Sequence, residues 1–201
     1  MKKLIVLVLL VCLMTLCAAA EMDEDGDVVV TLDGVEFFFT PIEGHCITRK
    51  SIPAKFMLAG LDRQKTLALM EAQEVYALLF DAADTCEIQV IAYESVKTDF
   101  DEMTDHGAEL MRSDVVYVYE DQGYEVAWAE VYNAPEGHTF VRMLISWPDA
   151  DGTEEYALTY ITCQAGYTVG MNLYTYGALI TETQMEIAEL LADSMWIMAT
   201  E

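Results

Sequence analysis

Residues 139–174 read TFVRMLISWPDADGTEEYALTYITCQAGYTVGMNLY, and their polarity alternates with a period of two. Thr139, Val141, Met143, Ile145 and Trp147 alternate with Phe140, Arg142, Leu144 and Ser146; Tyr156, Leu158 and Tyr160 repeat the pattern, and Tyr167, Val169, Met171 and Leu173 continue it. Successive side chains of a strand point to opposite faces, so this alternation predicts strands. Asp151-Gly152 and Ala165-Gly166 separate them, and turns this short impose antiparallel neighbours. The stretch is therefore read as a meander. The same rhythm is read back to Val115, where Tyr124, Val126 and Trp128 alternate with Glu125 and Ala127 ahead of the turn Pro135-Glu136-Gly137.

On either side of the meander the period changes. TDFDEMTDHGAELMR reads as a helix with Thr98 as N-cap, Asp101 three residues on, and Phe100, Met103, Gly107, Leu110 and Met111 on one face. TETQMEIAELLADSMWIM reads as a closing helix with a capping box of Thr181 and Gln184 and a face of Ile187, Leu190, Leu191, Ser194 and Met198. Earlier, VVVTLDGVEFFF is a hairpin about Asp33-Gly34, a pair suited to positive φ. A strand follows over His45 to Arg49, stopped before Pro53, then an amphipathic helix in LDRQKTLALMEAQ, with Leu67 and Met70 one turn apart. VYALLFDA and CEIQVIAYES are two strands about Asp84 and Thr85. The expected fold is α+β: an antiparallel sheet, N-terminal hairpin plus C-terminal meander, sandwiched by two or three helices.

This order of elements, through SIPAKF, LMEAQEVYALLF and CEIQV to the meander and closing helix, resembles the Mog1/PsbP-like fold, found in small exported bacterial proteins. The resemblance implies an antiparallel sheet between helical layers and an accessory or binding role without catalysis. It carries no functional residue onto a position of this chain.

Lys2 and Lys3 precede LIVLVLLVCLMTL, an apolar run of signal-peptide length and too short to span a bilayer. The small residues Ala18 and Ala20 suit a peptidase cutting between Ala20 and Glu21. A lipidated cysteine would need a small residue before it, whereas Leu16 precedes Cys17 and Val11 precedes Cys12. The expected organisation is a signal peptide over 1–20, a disordered acidic leader over 21–27 and one domain over 28–201, exported by the Sec route. No transmembrane segment is expected after the signal.

The chain holds 35 acids against 10 Lys and Arg, and losing Lys2 and Lys3 leaves it two units more negative than the −25 of the whole. Such a charge disfavours nucleic acid and anionic membranes, and favours cations and basic partners. Three cysteines follow the leader, Cys46, Cys86 and Cys163. Either one bridge with a spare thiol or three buried reduced thiols fits that count.

Asp23, Asp25 and Asp27 alternate as calcium-loop ligands do, and are the candidate metal residues. However, Gly26 stands one place too early, and Gly34 occupies the position of the bidentate acid. A solvated leader explains them as well. Glu102, His106 and Glu109 fall at helical spacing, which suits a metal or simply a wet face. His45 and Cys46 are strand neighbours that point apart, and His138 meets Cys163 only if the fold brings them together. No G-x-S-x-G, H-E-x-x-H, P-loop or GxGxxG pattern is present. The aromatic residues of the meander are the remaining lead: Trp128, Trp147, Tyr160 and Tyr174 are the candidate platform for a protein, peptide or glycan. No cofactor is expected. The reading is thus a non-enzymatic exported binding or accessory protein, with a fold-assembled hydrolase or a cation-binding module as alternatives.

Overall fold

A computed structural model describes residues 19–200 except the single positions 25, 59, 84, 96, 136 and 176. The apolar run of the expected signal peptide, residues 1–18, and Asp25 lie outside the described residues.

The meander forms as read. Strands β9 (Glu125–Asn133), β10 (Thr139–Pro148), β11 (Glu154–Gln164) and β12 (Tyr167–Thr175) pair antiparallel in sequence order. They are extended by β8 (Glu87–Glu94), β7 (Val75–Asp81) and β4 (Gly44–Thr48), giving the order β4-β7-β8-β12-β11-β10-β9. The opening hairpin, β2 (Val28–Leu32) and β3 (Val35–Phe39), lies outside this sheet. With β1 (Ala19–Met22) and the last strand, β13 (Trp196–Ala199), it makes a second sheet in the order β1-β2-β3-β13. Val28, Val30, Leu32, Phe37 and Phe39 turn to Leu79, Ile88, Val90, Leu158, Tyr160 and Leu173, and together form the principal core. The remaining two strands, β5 (Met57–Leu58) and β6 (Leu61–Asp62), pair only with each other.

Among the described residues three helices complete the layers. Helix α3 (Glu182–Asp193) lies beside the small sheet and buries Ala188, Leu191 and Ala192 in the principal core. Its Thr181–Gln184 capping box is present as read. On the opposite face α1 (Arg63–Ala72) packs on the β4–β7 end, and α2 (Asp105–Asp121) packs on β9 and β10. The α+β class, with helices on both faces of an antiparallel sheet, is therefore what the structure shows.

Three local readings need correction. Thr98 caps no helix: Phe100–Glu102 is a single 3₁₀ turn, Met103 is extended, and α2 starts after Thr104, whose side chain accepts the Gly107 N–H. The break rotates the helix so that Ala108, Met111 and Val115 are buried while Leu110 is exposed, and the helix continues through residues read as strand. At the other end α3 stops at Asp193 and Met198 is in a strand, because the free edge of β3 offers Trp196–Ala199 a backbone ladder.

The third concerns the acidic stretch 21–27, expected as a leader outside the domain: its first residues, Glu21 and Met22, lie in β1. Glu21 and Met22 pair with Val29 and Val28, and Ala19 and Ala20, expected as the end of the signal peptide, pair with Thr31 and Val30. Gly26, at φ 92°, lets the chain reverse, and the Asp23 and Asp27 backbones close the turn at 2.9 Å. Asp23 and Glu24 are exposed at the tip of a hairpin whose base, through Ala20, is buried.

Candidate functional site

The candidate residues of the sequence do not converge. Asp23 and Asp27 meet in the hairpin turn, where the Asp27 N–H donates to Asp23 Oδ1 at 2.9 Å. Among the described residues no three His, Cys, Asp or Glu side chains are grouped to hold a metal ion. Glu102 lies in the 3₁₀ turn, off the helix that carries His106 and Glu109, and Glu109 is paired with Arg112 at 2.8 Å.

The four aromatics divide between the two faces of the large sheet. Trp147 and Tyr174 pack edge to face at 6.1 Å on the α2 side, where Tyr124 and Tyr119 continue the cluster. Burial pushes the Tyr174 hydroxyl up to about 12 and raises that of Tyr119 further. Tyr160 and Trp128 lie on the α3 side. Tyr160 is fully buried between Phe140 and Tyr132. Arg142 is stacked over Tyr132 at 4.6 Å, and its guanidinium donates to Glu130, Glu189 and the Tyr160 hydroxyl. These rings are cross-strand packing with one half-buried cation, Arg142, among them. They do not form a single platform.

Two of the nucleophile and base candidates, His138 and Cys163, are bonded to other groups. His138 accepts the Ile197 N–H at Nε2, 2.9 Å away, so its proton is on Nδ1, which donates to Asp101 Oδ2. The imidazole fastens β13 to the 3₁₀ turn. Cys163 contacts Thr168 at 3.4 Å and has no contact to His138. All three cysteines are unbridged. Burial raises the Cys46 thiol to about 11, and burial together with the neighbouring Asp81 carboxylate raises Cys86 to about 12. A thiol held that high is a poor nucleophile at neutral pH.

What the sequence did not reveal is a groove at the β4–β7–β8 end. Its floor is sheet: His45, Ile47, Phe80, Glu87 and Gln89. Its roof comes from Phe56, Met57 and Leu58 ahead of α1 and from Leu69 on α1, and it encloses about 720 Å³. Smaller clefts of about 590 Å³ beside α3 and about 310 Å³ beside α2 accompany it. Gln89 Nε2 donates to Glu87 Oε1 at 2.8 Å, so the two polar floor residues orient each other. Glu87, Gln89 and Ile91 share the face opposite Ile88, Val90 and Ala92 of the main core. Two polar residues at i and i+2 of an otherwise apolar strand were the available signal. They mark a face of that strand that is not sealed by apolar packing.

No protein-family model and no curated protein sequence matches the chain. Among solved structures it is similar to the PsbP protein of the cyanobacterium Synechocystis sp. PCC 6803, with 16% sequence identity, a TM-score of 0.41, and 89% of this chain and 91% of that chain covered. A similarity that loose carries no functional weight.

Proposed function

We propose that this chain is an exported, non-enzymatic binding or accessory protein that meets a basic partner through the acidic end of its large sheet. The observation that carries the reading is the distribution of charge. From Asp99 to Gln164, the segment forming α2 and β9–β11, fifteen acids face only two basic residues, Arg112 and Arg142. Both are already paired, Arg112 with Glu109 and Arg142 with Glu130 and Glu189. The uncompensated acids of this end create a field that speeds the approach of a cationic surface. Three of the candidate hydrolase groups are held otherwise: both nitrogens of His138 are bonded, and Cys46 and Cys86 are kept as thiols. Among the described residues no helix is long and apolar enough to cross a membrane, and delivery by a leader cut before Glu21 belongs to the same proposal.

The test compares two variants of equal net charge. One converts Asp105, Asp114, Glu120 and Asp121 of α2 to Asn or Gln, and the other converts four acids far from that end: Glu36, Glu43, Glu71 and Glu94. Binding of a Lys- and Leu-containing peptide is followed by calorimetry at low and physiological salt. The reading expects the α2 variant to weaken binding several-fold more than its control. Equal losses would mean that only net charge acts, and the located surface would be abandoned.

A further inference from the structure

The groove lies at the opposite end of the sheet, and its charge has the opposite sign. Between Arg49 and Lys65 the chain places five of its ten basic residues and a single acid, Asp62. Two of the five are committed. Arg49 stacks on Tyr76 and donates to the Val75 and Met70 carbonyls, and Lys50 pairs with Glu21. Lys55, Arg63 and Lys65 are exposed and have no salt bridge among the described residues. Asp62 is occupied as the N-cap of α1, accepting the Lys65 N–H at 3.0 Å.

Two of these cations, Lys55 and Lys65, adjoin residues of the groove's roof. Lys55 directly precedes Phe56, and Lys65 lies one helical turn before Leu69, on the same side of α1. The roof is otherwise apolar and open to water: Met57 is 64% exposed and Leu69 42%. Inward, the space narrows into a mostly apolar cleft of about 70 Å³ under α1, walled by Met70, Val75 and Leu78 with Thr66 and Gln73, which shares Leu58, Leu69, Glu87 and Gln89 with the main groove. The combination is a tapering apolar slot with a cationic mouth, of a volume usual for small-ligand sites.

From this geometry we infer that the groove binds a single-chain anionic amphiphile, its hydrocarbon chain under α1 and its carboxylate at Lys55 and Lys65. The net charge of the molecule does not oppose this. At physiological salt the screening length is ~8 Å, and the acidic end begins at β11, two strand spacings from β8 and four from β4, roughly 10 and 19 Å at ~4.8 Å each, so its field is screened over most of the groove. The one carboxylate on the groove floor, Glu87, is 5% exposed and accepts from the Gln89 amide.

Dodecanoate is the probe, with dodecyltrimethylammonium and dodecanol as cationic and neutral counterparts, all below their micelle-forming concentrations. Binding is followed through the amide resonances of Phe80, Gln89 and Leu69. The expected result is that dodecanoate moves these signals and binds more tightly than either counterpart. Changing Lys55 and Lys65 to Gln should weaken dodecanoate roughly fivefold and leave dodecanol unchanged. Both lysines are exposed, so this variant is expected to fold, which its spectrum verifies. Tighter binding of the ammonium compound would show that Glu87 sets the sign and would overturn the inference. So would shifts confined to the cleft at Leu190 and Leu191, no shift at all, or binding only to vesicles of anionic phospholipid. The acid-to-amide changes on α2 leave this binding untouched, so it and the basic-partner reading fail separately.

Discussion

The two ends of the large sheet carry the same kind of layer, a helix on the same face, yet one is filled and the other is open. One row of paired residues crosses that face from Met143 through Thr159, Asn172, Gln89 and Leu78 to Ile47. Under α2, Met143 is fully buried among Phe100, Met111, Val115, Val141 and Ile145. Under α1, Ile47 and Leu78 are buried, but their cover is short: a ten-residue helix and a two-residue strand pair that leaves Met57 exposed. The middle of the row is polar. Length of cover explains the difference, because the seventeen residues of α2 span the strands below it and the ten of α1 do not. An apolar face left incompletely covered becomes a groove, and the charges that happen to rim it decide what the groove attracts.

If the contrast is real, the largest effect belongs to the filled end. Met143→Ala removes a fully buried side chain from a sealed core, and should cost about 2–5 kcal/mol in denaturant unfolding. A cost below about 1 kcal/mol would mean that the α2 end is as open as the other.

Next comes the rim of the open end, where Asp81 closes the turn between β7 and β8. Its carboxylate accepts from the Thr85 N–H at 2.6 Å, the Cys86 N–H at 2.9 Å and the Thr85 hydroxyl at 2.9 Å. Burial favours the neutral acid, but the hydrogen bonds from Cys86 and Thr85 outweigh it and hold the group below its ordinary value of 3.8. A carboxyl depressed on folding contributes stability that is present above the unfolded value and lost as pH falls through the folded one. Asp81→Ala should therefore cost about 1–3 kcal/mol at neutral pH. The gap between variant and parent should narrow below pH 3.8, as measured by thermal melts across the acid range. A gap that is constant with pH would show that the turn does not depend on the charge.

How much of this was legible in the sequence follows the range of each signal. The meander was legible because alternation and Gly turns are local, and β9 to β12 pair in sequence order. The capping box of α3 was legible for the same reason. The Thr98 cap was misread because Thr104 offers the same chemistry six residues on, and Asp101, which made Thr98 attractive, is instead needed by His138 and Thr139. The C-terminal strand has helical composition and becomes a strand only because the edge of β3, more than 150 residues earlier, is free. The groove was illegible on similar grounds. Its floor and roof come from three strands and one helix, and no local pattern reports that α1 is too short for the face beneath it. The cluster of five basic residues between 49 and 65, by contrast, stands in the sequence and was hidden by the net charge.

A smaller effect, of opposite sign, is expected in the polar middle of the row. Thr159 is 1% exposed, and its hydroxyl has no hydrogen-bond partner among the described residues. Thr159→Val keeps the shape and removes a desolvated polar group, so it should stabilise the fold by about 1 kcal/mol. A loss would show that the hydroxyl is bonded in solution.

The smallest effect belongs to Leu69, and its smallness is the point. In a sealed layer a leucine at this place on the helix would cost several kcal/mol to truncate, as Met143 is expected to do. Leu69 is 42% exposed over a groove of about 720 Å³, so Leu69→Ala should change stability by less than about 0.5 kcal/mol. The same change removes part of the apolar roof that an amphiphile's chain would touch. Dodecanoate affinity should therefore fall in a variant whose melting curve matches the parent, separating binding from folding at one residue. If Leu69→Ala instead destabilises the protein by as much as Met143→Ala, the groove is closed in solution. The two ends of the sheet would then be alike, and the basic rim would be left without an apolar slot behind it.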